Sequence, residues 1–171
     1  QYIGEAYFFR AYSYFDLLQL YGDVIITKKP LDITDPEMKV KRNDRSEVVD
    51  LIIDDLNHAV ENLPAFKELT TEEEGRISKE GAQAFLSRVA LYEGTWQKSR
   101  NGNQNTQRSA NLLDIAAKAA RTVIDAKYGY TFRLFGTDSE TKILGDSAQK
   151  YMFILENEKS NPAGIKKSSN H

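Results

Sequence analysis

Asp54, His58 and Glu61 stand at i, i+4 and i+7, a spacing that places two carboxylates and an imidazole on one face of a helix. Such donors suit a divalent cation, but a metal site also needs a fuller ligand set and supporting hydrogen bonds. The three residues lie opposite the apolar stripe of their own segment, so they read as a solvated charged face. Glu72-Glu73-Glu74 reads in the same way, as a solvated acidic loop. A different chemistry is offered by Trp96, Tyr92, Tyr128, Tyr130 and Tyr151, whose rings suit the C–H faces of sugars and whose polar edges suit hydroxyls. Trp96 and Tyr92 are equally readable as helix-end core residues with a wetted edge. Arg10 sits among Tyr7, Phe9 and Tyr14, where an unpaired guanidinium would cost several kcal/mol. The sequence therefore predicts that Arg10 is mostly buried and paired with Glu5, Asp16 or Asp55. No nucleophile elbow, zinc-protease, phosphate-loop or dinucleotide motif occurs. No catalytic residue, metal ligand or cofactor site is assigned, and the ligand-binding residues stay open.

Composition narrows the setting. A formal charge of −2 gives no attraction to phosphate backbones, so no nucleic-acid partner is expected. The absence of cysteine excludes disulfides, thiolate metal sites and cysteine catalysis within the 171 residues. No apolar run approaches the ~18 residues of a membrane span. The sequence opens on Gln1 with a helical pattern already running by Ile3, and Ser160 to His171 is loop-like. It reads as a piece of something longer.

Four helices must position these side chains. The first spans about Tyr2 to Tyr21; its apolar residues wrap most of the cylinder, which predicts a central helix packed on several sides. Gly22 is its expected left-handed C-cap, followed by a short extended run, Val24 to Thr27, and a polar loop from Asp32 to Asp44. The second spans Arg45 to Asn62, with Val48, Val49, Ile52, Ile53, Leu56, Ala59 and Val60 at three- and four-residue spacing. Asp44 (with Glu47) or Ser46 can cap it, and Pro64 stops it. The third spans Lys79 to Trp96 behind Ser78, and the fourth Leu112 to Lys127, before Gly129. Gln97 to Asn111 reads as a polar surface excursion, and Tyr151 to Leu155 as a short strand. Small residues at contact positions suggest stacked helical hairpins, although the strict 34-residue tetratricopeptide period is absent.

Glu5-Ala6-Tyr7-Phe8-Phe9-Arg10-Ala11-Tyr12-Ser13-Tyr14-Phe15-Asp16-Leu17-Leu18, followed by Leu20-Tyr21-Gly22-Asp23-Val24, resembles the E-A-x-F-x-R-A-x-x-Y-F-x-L … Y-G-D-V-P signature of the SusD/RagB family. Arg45-Ser46, Ile52-Ile53-Asp54-Asp55-Leu56-Asn57-His58-Ala59 and Leu63-Pro64 resemble its next block. Gly75-Arg76-Ile77-Ser78-Lys79-Glu80-Gly81-Ala82-Gln83-Ala84-Phe85-Leu86-Ser87-Arg88-Val89-Ala90-Leu91-Tyr92 resembles a third, and Ala116 through Tyr130 a fourth. The best-matched region is 5–135; residues 136–171 are irregular. Ile25-Ile26 departs from the family, which usually has Pro at the first of these positions.

The resemblance implies an all-α fold of irregular tetratricopeptide-like helical hairpins (an alpha-alpha superhelix), with residues 1–171 forming a partial domain of a larger SusD-like fold. It also implies a non-enzymatic protein that binds oligosaccharides or similar nutrients, without a cofactor, as the lid of a TonB-dependent (SusC-like) outer-membrane transporter. Its place would be the cell outer membrane, surface-exposed and lipid-anchored through a cysteine upstream of Gln1. Glycan contacts in the family come largely from loops beyond the hairpins, and these residues show no aromatic cluster in a shaped loop, so little oligosaccharide binding is expected of them in isolation. The alternative reading is a generic helical-repeat scaffold for a protein or peptide.

Overall fold

In the computed structural model of the chain, which describes residues 1–73, 75–100 and 106–133, side-chain spacing and caps set four helices. These are α1 (Tyr2–Tyr21), α2 (Arg45–Asn62), α3 (Lys79–Arg100) and α4 (Thr106–Ile124), with 3-10 turns at Pro36–Lys39, Phe66–Glu68 and Thr71–Glu73. There is no strand among the described residues, only an isolated antiparallel bridge between Val24 and Asn43. The all-α expectation holds. Tyr151 to Leu155, and Ser160 to His171, lie outside the described residues.

The starts of α2 and α3 follow from their caps. The Asp44 carboxylate accepts the Ser46 N–H at 2.8 Å, and Glu47 reaches back to the Asp44 N–H at 3.1 Å. These bonds satisfy donors that the first turn leaves without helical partners. Ser78 Oγ accepts the Gly81 N–H at 3.3 Å at the head of α3. Gly22 ends α1 with φ +71 and ψ −104, so the position needs glycine's freedom, but it is not the left-handed helical cap expected. After it, the extended run is pinned by Tyr14, whose hydroxyl accepts the Thr27 N–H at 2.7 Å, and by Asn43, whose Oδ1 accepts the Ile26 N–H at 2.9 Å.

Three expected boundaries are wrong. α3 continues past Trp96 to Arg100, and α4 begins at Thr106 and ends at Ile124. The polar stretch expected as a surface excursion is therefore largely helical. The reason lies in two polar groups with buried work: Gln97 donates to Glu93 at 2.7 Å, and the Ser109 hydroxyl donates to the Gly94 carbonyl at 2.8 Å. Gly94 lets α4 come close, since a Cβ there would meet Leu113 at 3.0 Å.

α1 packs on α2, α2 on α3 and α3 on α4. Leu18, Val48, Ile52, Leu56 and Val89 are fully enclosed at the common core. Phe85 of α3 also reaches α1, with ring centroids 5.4–5.5 Å from Phe8, Tyr12 and Phe15. The expectation of α1 as a central helix packed on several sides is corrected among the described residues: Gly4, Phe8, Ala11, Tyr14, Phe15 and Leu18 are buried, while Tyr2, Ile3, Phe9, Leu20 and Tyr21 are exposed. Its described neighbours lie along one stripe at helical spacing.

At Gly4, α1 comes close to the end of α2. A Cβ there would lie 2.9 Å from Leu63 Cγ and 3.0 Å from the backbone of Asn62 and Leu63. Alanine would gain about 1 kcal/mol of helix propensity, but overpacking against backbone costs about 1–3 kcal/mol. Gly4→Ala is therefore expected to lower stability by about 1 kcal/mol in a urea unfolding titration, against the propensity scale.

Candidate functional site

Among the described residues, three of the guanidinium–carboxylate clamps that join residues far apart in sequence also lay the guanidinium over an aromatic ring. Arg10 of α1 donates from Nε and Nη2 to the two oxygens of Asp55 in α2, at 2.7 and 2.6 Å. Asp55 is enclosed, but the Arg10 side chain keeps 37% of its surface. Of the three expected partners the structure selects Asp55, and it corrects the expectation that Arg10 is mostly buried. The guanidinium edge reaches solvent while its face lies over Tyr7, 5.4 Å from the ring centroid. Bonding to Asp55 raises the Arg10 pKa. Arg76 closes a second clamp on Glu5 at 2.7 and 2.6 Å and lies over the Tyr2 ring at 4.8 Å. That bond holds the Glu5 carboxyl below its ordinary range, and it raises the Arg76 pKa.

The third clamp went unread in the sequence. Arg45, at the first turn of α2, donates to Glu93 of α3 from Nε at 3.0 Å and from Nη2 at 2.8 Å. It also donates from Nη1 to the carbonyl of Leu18 in α1 at 3.3 Å, so one side chain ties three helices. Glu93 is fully buried, and its other oxygen accepts from Gln97. Arg45 lies over Trp96 at 4.0 Å and more distantly over Tyr92 at 6.0 Å. Trp96 and Tyr92 are thus packed, part-buried residues of this clamp. A signal was present: Glu93 and Gln97 continue the face of Val89 and Ala90, and a carboxylate on a buried stripe demands a partner.

The remaining candidates separate. His58 Nδ1 lies 3.5 Å from Glu61, both are exposed, and the imidazole packs tilted against Tyr7 at 5.0 Å. Asp54 lines a different feature, an open groove of about 710 Å³ with Lys28, Lys29, Asn43, Glu47 and Asp50. Among the described residues no three His, Cys, Asp or Glu side chains come together as a metal site. A cleft of about 540 Å³ lies where Tyr21, Asp23, Arg42 and Trp96 meet. In the acidic run, Glu73 accepts the Thr70 N–H at 3.2 Å, and Glu74 lies outside the described residues. Tyr151 lies outside them too. Tyr130 joins Phe66 and Phe132 in a ring cluster that the sequence reading missed, because Phe66 is remote in the chain.

The described residues thus form helices tied by internal ion pairs, with open polar grooves on the surface. The chain belongs to the SusD-like family: the family model described as "Starch-binding associating with outer membrane" matches residues 1–91, just over half of it. It is similar to SusD-like protein P38 of Formosa agariphila, 37% identical over 93 residues that cover 54% of this chain and 17% of the relative. A SusD-like protein of Bacteroides ovatus is 29% identical over 123 residues, 72% of this chain and 20% of the relative. The chain thus spans about a fifth of the length of these relatives. Among solved structures, a SusD-like protein from Bacteroides fragilis superposes with a TM-score of 0.51 at 32% identity, covering 68% of this chain and 20% of that one. A laminarin-binding SusD-like protein superposes at 0.56 with 29% identity, covering 76% and 25%.

Two outcomes follow from the clamps. Arg10→Met strands the enclosed Asp55 carboxylate; an exposed pair is worth up to ~1 kcal/mol and breaking a buried one costs ~3–5 kcal/mol. With Arg10 partly solvated, a loss of about 2 kcal/mol is expected in chemical denaturation. The Glu5 clamp gives a pH signature. Its folded-state pKa lies below the ordinary value of 4.5, so its stabilisation is present above that pH and is lost as pH falls through the folded value. Thermal midpoints measured from pH 7 down to pH 3 should fall less steeply for Glu5→Gln than for the unaltered chain.

Proposed function

We propose that this chain is part of a surface-exposed, lipid-anchored outer-membrane protein that binds oligosaccharides without cleaving them and delivers them to a TonB-dependent (SusC-like) transporter. All 171 residues would belong to its helical domain. The observation that carries the reading is the family match over residues 1–91, which contains both halves of the Arg10–Asp55 and Glu5–Arg76 clamps. The described family role and the laminarin-binding neighbour support a glycan as the ligand. Chemistry on the groove side supports binding over hydrolysis. Glu47, Asp50 and Asp54 line the larger groove from one helix, whereas glycoside hydrolysis needs two carboxyl groups flanking the scissile bond.

The exposed apolar face of α1, with Tyr2, Ile3, Phe9 and Leu20, favours a second reading, a helical scaffold for a protein or peptide. Calorimetric titration of the whole gene product against neutral and acidic oligosaccharides separates the two, with a reducing-end assay run alongside. Saturable binding without new reducing ends is expected. Release of reducing ends would overturn the non-catalytic reading, and absence of glycan binding would favour the scaffold.

A further inference from the structure

We propose that Phe66, Tyr130 and Phe132, with Lys67 and Lys79 at their edge, form a subsite for a sugar carrying a carboxylate or sulfate; the proposal rests on the glycan-binding reading above. The three ring centroids lie 4.6, 5.4 and 4.9 Å apart, with planes inclined by 55–64°. They meet tilted or edge to face rather than stacked. Tyr130 and Phe132 are 39% and 47% exposed. Sugars stack their C–H faces on rings held in this way, and the Tyr130 hydroxyl adds a polar edge.

The platform is built from both sides. Phe66 enters on the short turn after Pro64, where its N–H is held by the buried Glu80 carboxylate at 2.8 Å and the preceding Ala65 N–H by Glu68 at 2.9 Å. Tyr130 and Phe132 follow Gly129, which has φ +83 and donates its N–H to Ala126 at 2.7 Å. A side chain at Gly129 would be strained, and it would also displace Lys67, whose Nζ lies 2.6 Å from where its Cβ would stand. The glycine thereby seats an ammonium beside the rings. On the other side, Lys79 Nζ lies 5.6 Å from the Tyr128 ring centroid.

Charge selects the class of sugar. Arg10, Arg45, Arg76 and Arg108 are each clamped to a carboxylate. Lys67 and Lys79 have no carboxylate within salt-bridge reach among the described residues, and neither do Lys127 and Arg133 on the adjoining segment. Opposing acids are few. Glu68 is engaged with the Ala65 N–H, and Asp125 faces Arg121 at 3.8 Å. Glu80 is 2% exposed with one oxygen on the Phe66 N–H. Burial of Tyr128, and after it the charge of Glu80, raises the Tyr128 pKa, keeping that phenol a hydrogen-bond donor. Unneutralised ammonium groups beside exposed rings favour an anionic sugar over a neutral one.

The test is calorimetric titration of the whole gene product with three probes: a neutral gluco-oligosaccharide, a uronate oligosaccharide and a sulfated oligosaccharide. At least one acidic probe is expected to bind about tenfold more tightly than the neutral one, with affinity falling as sodium chloride rises. Preference between the acidic probes tells carboxylate from sulfate. Phe132→Ala is expected to weaken acidic binding up to about tenfold, and Lys67→Gln with Lys79→Gln to remove the preference while circular dichroism stays unchanged. If Phe132→Ala fails to fold, the surface lysine pair still decides. If glycans bind but acidic ones gain nothing and the variants match the unaltered protein, the subsite is overturned and the glycan reading stands. If no oligosaccharide binds at all, that reading falls and the subsite with it.

Discussion

Glu93 is a carboxylate with no exposed surface, and an isolated buried charge would cost far more than the whole stability of a small domain. It is tolerable only because Arg45 meets it with two nitrogens and Gln97 satisfies its remaining oxygen. Arg45 can do so only if the start of α2 lies against the middle of α3 and the end of α1, where it also reaches the Leu18 carbonyl. The ion pair therefore fixes relative placement in a way that the apolar contacts alone do not. Burial of Val48, Ile52 and Val89 supplies driving force without direction.

The clamps share one design. In each, a guanidinium bonds a carboxylate with its edge and covers an aromatic ring with its face: Arg10 with Asp55 and Tyr7, Arg76 with Glu5 and Tyr2, Arg45 with Glu93 and Trp96. A planar, weakly hydrated cation suits both contacts at once, and lysine would not. Partners stand 45, 71 and 48 residues apart, so each clamp closes a long stretch of chain. The helices become a stiff frame, and the turns after Pro64 and Gly129 hang from it with their rings outward. The proposed sugar subsite sits on those turns, and the clamps hold the frame beneath it.

Much of the frame was legible. The boundaries of α1 and α2 follow from Gly22, the Asp44–Glu47 capping box and Pro64, because caps and stops are local. The end of α3 and the start of α4 were not, since Gln97 and Ser109 look like surface residues and only their buried partners make them interior. Arg10 announced a need for a carboxylate by its aromatic surroundings, but three acids met that need on paper and only the fold chose Asp55. Glu93 could have been flagged as a charge on a buried stripe; that Arg45 answers it could not, because the partner stands 48 residues away on another helix. The ring cluster was invisible for the same reason, joining Phe66 to Tyr130 and Phe132 across α3 and α4.

The claim that the buried pair orders the frame is tested most directly by a double-mutant cycle on Arg45→Met and Glu93→Leu, read by urea unfolding. Arg45→Met alone leaves a bare buried carboxylate and is predicted to cost about 3–5 kcal/mol, with the double variant recovering at least about 2 kcal/mol of that loss. Additive losses, with coupling within about 0.5 kcal/mol, would contradict the account.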